Sequence, residues 1–172
     1  MMERKTIRKW FWAWDFDKEE EWLENMARNG WVLDGVGFCT YHFIKTEPGE
    51  YSVRLQYLPI ADENTDYTNL LEESGAVRVG RMVQWVYYRK KTADGPFRLF
   101  SDLDSRITHL EKIAKLMLII AIMNLVIGVV NSFNPMVRIG WINLLVASLL
   151  TYGIGRIHGK KEALEKERLF RE

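Results

Sequence analysis

The chain has 172 residues, with 24 Lys or Arg, 23 Asp or Glu and a formal net charge of +1. That length leaves room for one domain of about 100 residues beside a pair of long helices. Residues 1–100 carry 14 basic and 16 acidic residues without a basic stripe, which argues against nucleic acid as a partner. Cys39 is the only cysteine, so an intrachain disulfide is excluded and a reducing compartment is acceptable.

The first predicted elements are a strand and a helix. Alternation of large apolar residues predicts a strand over residues 6–16, with three rings on one face: Trp10, Trp12 and Trp14. Asp17 then stands where a helix N-cap is expected, with Glu20 at the capping-box spacing. Gly30 is predicted to end this helix as a left-handed C′ residue.

A strand hairpin and a second set of elements follow. Residues 31–33 and 38–45 are predicted as two strands that turn through Gly35 and Gly37. The same order of elements then returns further along the chain: a strand at 51–58, a helix closed by Gly75, and strands at 76–81 and 82–91.

An offset of 45 residues relates the two halves. It sets Gly30 over Gly75, Gly35 over Gly80, and Lys45 over Lys90. Each half reads strand–helix–strand–strand. The sequence therefore predicts an α+β fold in which two βαββ units form one antiparallel sheet with both helices on one face.

Two uncharged apolar runs, at residues 116–133 and 139–155, follow this domain. Each is long enough for a helix that crosses a bilayer, whereas a soluble core helix of this length normally keeps a polar face. We therefore expect a two-pass transmembrane hairpin over 113–157, with its turn at 134–138. Basic residues are frequent on both outer flanks but the turn has only Arg138, which predicts a cell-membrane protein with both termini in the cytoplasm.

The chain is therefore predicted to consist of four segments: a duplicated cytoplasmic domain (1–92), a linker and juxtamembrane helix (93–112), the hairpin (113–157) and a charged cytoplasmic tail helix (158–172).

Small and polar residues recur every four positions on both apolar runs, and such residues let membrane helices approach closely. They are Asn124, Gly128 and Ser132 on the first run, and Asn143, Ala147, Thr151 and Gly155 on the second. The two rows are predicted to face each other within the hairpin. The alternative is that one row makes a contact between two copies of the chain.

Groups that would support catalysis do not converge in the sequence. His42, His109 and His158 lie in different predicted elements, and none has Cys, Asp or Glu at metal-ligand spacing. The acidic run at residues 19–21 is interpreted as helix-dipole and solubility chemistry. Cys39 has no neighbouring His to activate it. We expect no enzyme, no metal and no cofactor.

Aromatic residues on both faces of the predicted strands indicate a binding surface. Two helices cover one face of a sheet, and large exposed apolar patches are uncommon on soluble monomers. The predicted binding surface consists of Trp10, Trp12, Trp14, Trp31, Tyr57, Trp85 and Tyr87. If the helices cover that side instead, the open face holds Phe11, Tyr41 and Phe43. The candidate occupants are a hydrophobic small molecule, another protein, a second copy and the chain's own juxtamembrane helix. Paired βαββ units with an aromatic groove are similar in layout to the gyrase-inhibitor-like fold.

Several short motifs carry a resemblance to a known family: Glu20-Glu21-Trp22-Leu23, Gly30-Trp31, Tyr41-His42-Phe43, Glu47-Pro48-Gly49-Glu50-Tyr51, residues 85–90 and residues 100–105. In this order they resemble the bacterial family known as domain of unknown function 2812, over about residues 5–106. Relatives tend to have Gly-Trp where this chain has Gly75-Ala76. The resemblance implies a membrane-attached cytoplasmic domain, often encoded beside PadR-type transcription regulators. It implies no activity and no catalytic residue.

Together these observations predict a non-enzymatic sensory or regulatory module that is anchored in the lipid bilayer. Its aromatic surface would bind a protein partner or a hydrophobic ligand. The alternative is a small membrane protein whose hairpin assembles with itself or with a transporter, the soluble domain being structural.

Overall fold

The computed structural model describes residues 3–63, 65–100, 102–133 and 139–170. The chain divides into two compact units, Met1–Leu99 and Phe100–Glu172. The predicted α+β class and the C-terminal pair of long helices are confirmed.

The first unit contains six strands and two α-helices: β1 (Arg4–Arg8), α1 (Phe16–Arg28), β2 (Trp31–Gly37), β3 (Thr40–Lys45), β4 (Tyr51–Tyr57), α2 (Thr65–Glu73), β5 (Ala76–Met82) and β6 (Trp85–Lys91). The second unit contains α3 (Leu103–Ser132) and α4 (Gly140–Leu169). The strand–helix–strand–strand order therefore occurs twice, as predicted.

The strands form two three-stranded antiparallel sheets, ordered β1-β3-β2 and β4-β6-β5, rather than the single sheet that was predicted. The two inner edges, β2 and β5, lie side by side, since a Cβ placed on Gly80 would be 2.9 Å from Val36 Cγ2. A bulge interrupts the pairing of each of these strands. Bulges bend a strand and increase its twist, which accounts for the break between the sheets.

The duplication extends to the pairing register. Equivalent pairs and equivalent bulges are all separated by 45 residues: Trp31↔Lys45 and Ala76↔Lys90, with bulges at Leu33/Gly35 and Arg78/Gly80. The expectation that the first hairpin turns at Gly35 and Gly37 is wrong, because both glycines lie within β2. The turn is formed by Phe38 and Cys39, and Cys39 has a positive φ of 51°.

The two helices do not share one face of one sheet, contrary to the prediction. Helix α1 belongs to a core that contains Tyr41 and Phe43 of the first sheet and Tyr87 of the second. Helix α2 belongs to a separate core with Val86 and Tyr88. Successive residues of a strand point to opposite faces, so β6 is covered by α1 on one side and by α2 on the other.

Helices α3 and α4 are each 30 residues long and are both apolar enough to cross a membrane, with mean hydropathies of 2.6 and 1.2 in their best windows. This finding is compatible with the predicted membrane hairpin. The predicted turn at 134–138 lies outside the described residues. The predicted juxtamembrane and tail helices are continuous with the apolar runs, and their charged parts meet in two ion pairs: Lys161 Nζ–Glu111 Oε1 at 2.6 Å and Arg168 Nη1–Asp104 Oδ1 at 2.7 Å.

Two glycines, Gly128 and Gly140, lie in close contact between the two helices. A Cβ on Gly128 would lie 2.7 Å from Leu144 Cδ2 and 3.1 Å from the Gly140 carbonyl oxygen. A Cβ on Gly140 would lie 2.9 Å from the backbone N of Ser132. Helix α4 therefore presents Gly140, which the sequence reasoning had not included, to the first predicted row.

The other predicted packing residues differ in how closely they approach the neighbouring helix. Ala147 is buried, Asn143 is half-buried and Gly155 has open space around it. Asn124 Nδ2 donates to Ile120 O, and Thr151 Oγ1 donates to Ala147 O of its own helix. A four-residue spacing drifts around a helix by about 40° per step. The second row therefore turns away from α3 by the time it reaches Gly155.

Replacing Gly128 with Leu should weaken the α3–α4 contact, because the added side chain would overlap Leu144 and Gly140. Overpacking of this kind costs about 1–3 kcal/mol. Gly155→Leu is the matched control, since it adds the same side chain to an open site on the neighbouring helix. Thermal unfolding in detergent should show a lower Tm for the first variant and an almost unchanged Tm for the second. Equal shifts would contradict the assigned contact.

Candidate functional site: an exposed aromatic cluster

The segment that follows β1 leaves the sheet earlier than the sequence suggested. The strand predicted over residues 6–16 ends at Arg8, which pairs with Thr40, the first residue of β3. Beyond that pair β3 offers no further partner except the hairpin turn, where Lys9 N–H donates to the Cys39 carbonyl at 3.0 Å. The chain then turns into a short 3-10 helix, Ala13–Asp15.

This early departure brings three tryptophans together against the tip of the β2–β3 hairpin. The rings of Trp12 and Trp14 are stacked at 4.8 Å with an interplanar angle of 6°. Trp10 meets Trp12 edge-on at 5.4 Å, and meets Phe38 edge-on at 6.1 Å. These four residues are called the aromatic cluster below.

The aromatic cluster has a buried base and an exposed rim. Trp14 is only 4% exposed, whereas Trp10, Trp12 and Phe38 are 55%, 41% and 76% exposed. Trp12 stacks on the buried ring of Trp14, and Trp10 packs edge-on against Trp12 and Phe38, so ring contacts reduce the conformational entropy that these side chains lose on binding. Three large rings are therefore presented to the exterior on a rigid support.

Basic groups flank the exposed rings. A cleft of about 420 Å³ beside the cluster is lined by Arg8, Lys9, Trp10, Phe38, Cys39 and Thr40. The Lys9 ammonium lies 4.8 Å from the centroid of Phe11 and 4.6 Å from that of Trp22. A cation held over two ring faces is favoured electrostatically, and Lys9 also lines the cleft beside the cluster.

The other predicted binding residues lie elsewhere. Trp31 is half-buried, with the Lys5 and Lys45 ammonium groups 5.4 and 4.7 Å from its ring. Trp85 contacts the rings of Phe16 and Tyr57 at 5.3 and 5.6 Å.

Tyr57 and Tyr87 are both buried, and the hydroxyl of Tyr57 donates to Gln84 Oε1. The alternative open face is also closed, because Tyr41 and Phe43 are 2% and 1% exposed. The predicted surface is thus only partly assembled: its three N-terminal tryptophans come together and its other members do not join them. Phe38 is the member that sequence reasoning missed: it was predicted as the first residue of a strand, whereas β3 begins at Thr40 and Phe38 lies in the hairpin turn beside Trp10.

A buried carboxylate lies beneath α1. Glu19 is 6% exposed, and its Oε1 accepts hydrogen bonds from the hydroxyls of Tyr41 at 2.7 Å and Tyr87 at 2.6 Å. Burial raises the pKa of Glu19, and the two tyrosine hydrogen bonds offset part of that rise. Burial and the adjacent carboxylate in turn raise the pKa of both tyrosines. Glu19 lies on the same helical face as the buried Leu23 and Ala27, four and eight residues later. This spacing is the feature of the sequence from which its burial could have been predicted.

Two further carboxylates of α1 cover the outer edge of β4. Glu24 Oε2 accepts from Val53 N–H at 2.9 Å, and Glu20 Oε2 accepts from Leu55 N–H at 3.1 Å. Arg54 Nη1 lies 2.9 Å from Glu24 Oε2 and forms an ion pair with it. The expected capping box is therefore wrong: the helix begins after Asp15 without a side-chain cap, and Glu20 instead bonds to β4.

The aromatic cluster and the cleft beside it are features of the protein surface. Within the described ranges, no group of three or more His, Cys, Asp or Glu residues is arranged to hold a metal ion. The assembled features are exposed aromatic rings and adjacent cations. Such a surface can bury apolar area and attract negative charge.

Comparison with known proteins gives one result. The profile of a family described as "Protein of unknown function (DUF2812)" matches residues 15–122. No curated protein and no solved structure matches the chain. The matched range includes Phe38 but begins after the three tryptophans of the aromatic cluster.

Glu19→Gln should remove a pH dependence without removing the hydrogen bonds, because both tyrosines donate to Oε1, which Gln retains. The pKa of Glu19 is raised above its ordinary value of 4.5, so its stabilising contribution is complete below that pH. The contribution is lost as the pH rises through the folded-state pKa. Urea unfolding of the full chain in detergent, followed by tryptophan fluorescence, should therefore show the wild type losing stability relative to Glu19→Gln as the pH increases.

Glu19→Ala is the companion variant, since it leaves both hydroxyls without their acceptor. Its cost should be about 1–3 kcal/mol for each unsatisfied group. Parallel pH profiles for wild type and Glu19→Gln would contradict the raised pKa.

Proposed function

Because the chain belongs to the family described as "Protein of unknown function (DUF2812)", whose name carries no activity, we propose its function from geometry. The protein is a membrane-anchored, non-enzymatic sensory or regulatory module. It binds an apolar partner through the aromatic cluster. The hairpin of α3 and α4 holds the module at the cell membrane, with both termini in the cytoplasm.

The observation that carries this proposal is the exposure of three clustered rings on a buried ring. Trp10, Trp12 and Phe38 each expose 41% or more of their surface, although each is large enough to contribute substantially to a core. Tryptophans fixed by packing are typical of residues that dominate binding energy at interfaces. Trp12 stacks on Trp14, Trp10 contacts Trp12, and Phe38 contacts Trp10, while the exposed area of these three rings is available to a partner.

The helices of the second unit support the anchoring part of the proposal. Most large apolar residues between Leu118 and Val130 are exposed, and a bilayer is the solvent in which that exposure is favourable. The charged ends of α3 and α4 are paired with each other at Lys161–Glu111, away from the turn. The excess of basic residues on those ends supports a cytoplasmic location for them.

A photo-crosslinking amino acid, p-benzoylphenylalanine, placed at Phe38 should form adducts in cells that the same residue at Val83 does not form. Val83 is the matched control, because it has the equivalent position in the β5–β6 hairpin and is 73% exposed, against 76% for Phe38. The aromatic cluster surrounds only the first of these positions. Mass spectrometry of the purified chain would identify each adduct as lipid, protein or small molecule. Adducts at neither site, or equal adducts at both, would overturn the proposed binding surface.

The native thiol tests the orientation. Cys39 should resist a membrane-impermeant maleimide in intact cells and react after detergent lysis. In a Cys39→Ser background, Ser132→Cys lies at the turn end of α3 and should react in intact cells. The opposite labelling pattern would place the termini outside.

A further inference from the structure

We propose that the partner of the aromatic cluster is the anionic headgroup surface of the membrane in which the chain is anchored. This inference rests on the proposed function and names the partner of that same site. The module would then respond to the content of anionic lipid in its own bilayer.

Charge is the first argument. Between Glu3 and Asp15 the chain carries four cations and no acid: Arg4, Lys5, Arg8 and Lys9. All four are exposed, and the last two line the cleft beside Trp10 and Phe38. Basic side chains near a membrane surface are attracted by the negative potential of anionic lipid.

The chemistry of the rings is the second argument. Trp10 and Trp12 are amphipathic, with a large apolar ring and an indole N–H, and such rings favour the boundary between headgroups and acyl chains. Phe38 stands at a hairpin tip with 76% of its surface exposed and has no polar group. Apolar rings bordered by cations match a surface that is negatively charged outside and apolar beneath.

Proximity is the third argument, and it favours a bilayer over a protein partner. Helix α3 begins at Leu103, and the uncharged run begins at Leu116, so about 20 Å of helix separates the two. A domain of about 100 residues has a radius of gyration of roughly 13 Å. The first unit is thus tethered within reach of one bilayer surface, and tethering raises the effective concentration of that surface.

The test uses the full chain, one copy per nanodisc, with a nitroxide on native Cys39, which lies in the cleft beside Phe38. Collisions with oxygen report immersion in the bilayer, and collisions with a water-soluble nickel chelate report exposure to water. In phosphatidylcholine discs that also contain phosphatidylglycerol, the label should be more accessible to oxygen and less accessible to the nickel chelate than in discs of phosphatidylcholine alone. High salt should reduce both differences.

Two controls isolate the basic residues and the hairpin. Arg8→Glu/Lys9→Glu should return the label to water, since each lost cation lowers membrane partitioning about fivefold, or ~1 kcal/mol. Lys91→Glu changes an exposed cation of β6 and should leave the accessibilities unchanged. A label at Val83→Cys, in a Cys39→Ser background, should stay in water in both lipids.

The outcomes separate this inference from the proposed function. A Cys39 label that stays in water in both lipids, together with protein or small-molecule adducts at Phe38 in cells, overturns the lipid inference and leaves the binding module standing. A label in water without any adduct at Phe38 overturns both. A label that is immersed in the bilayer equally with and without phosphatidylglycerol, or equally before and after the charge reversal, also overturns the inference. The anionic headgroup would then have no part in binding.

Discussion

The carboxylates of helix α1 hold the two repeats together. Glu19 accepts one hydrogen bond from Tyr41 of its own repeat and one from Tyr87 of the other. Glu20 and Glu24 then take the place of a neighbouring strand along β4 by accepting the N–H groups of alternate residues. A sheet edge with free donors is open to pairing with other chains, and these carboxylates close it. Helix α1 thus belongs structurally to both halves, and the cleft and cluster are built on the segment that leads into it.

The second repeat lacks the carboxylates that α1 carries at these positions. The positions 45 residues after Glu19, Glu20 and Glu24 carry Asn, Thr and Asn, and α2 has 9 residues where α1 has 13. No equivalent helical carboxylates are therefore available for β1, the corresponding outer edge of the first sheet. That edge carries exposed cations instead, which is another way in which proteins discourage strand pairing. The outer edges of the two sheets therefore differ: β4 donates to carboxylates of α1, and β1 carries exposed cations.

Local signals predicted the repeat well. Gly30 and Gly75 have positive φ values of 77° and 88° at the ends of the two helices, as their positions in the sequence suggested. The cluster was harder to foresee, because residues 9–14 alternate like a strand while β3 is too short to pair with them. Strand periodicity describes one segment and carries no information about the length of its partner. The role of Glu19 depended on distant tyrosines, so a charged residue in a first helical turn was assigned the common surface role.

The contact between β2 and β5 has an evolutionary consequence. Gly80 has no side chain where Val36 Cγ2 would be 2.9 Å from a Cβ, so the two positions share one small volume. A larger residue at position 80 requires a smaller one at position 36, because packed interiors tolerate little added volume. Among homologous sequences these two positions should therefore covary, and their joint substitution would trace how the inner edges of the two sheets came to fit.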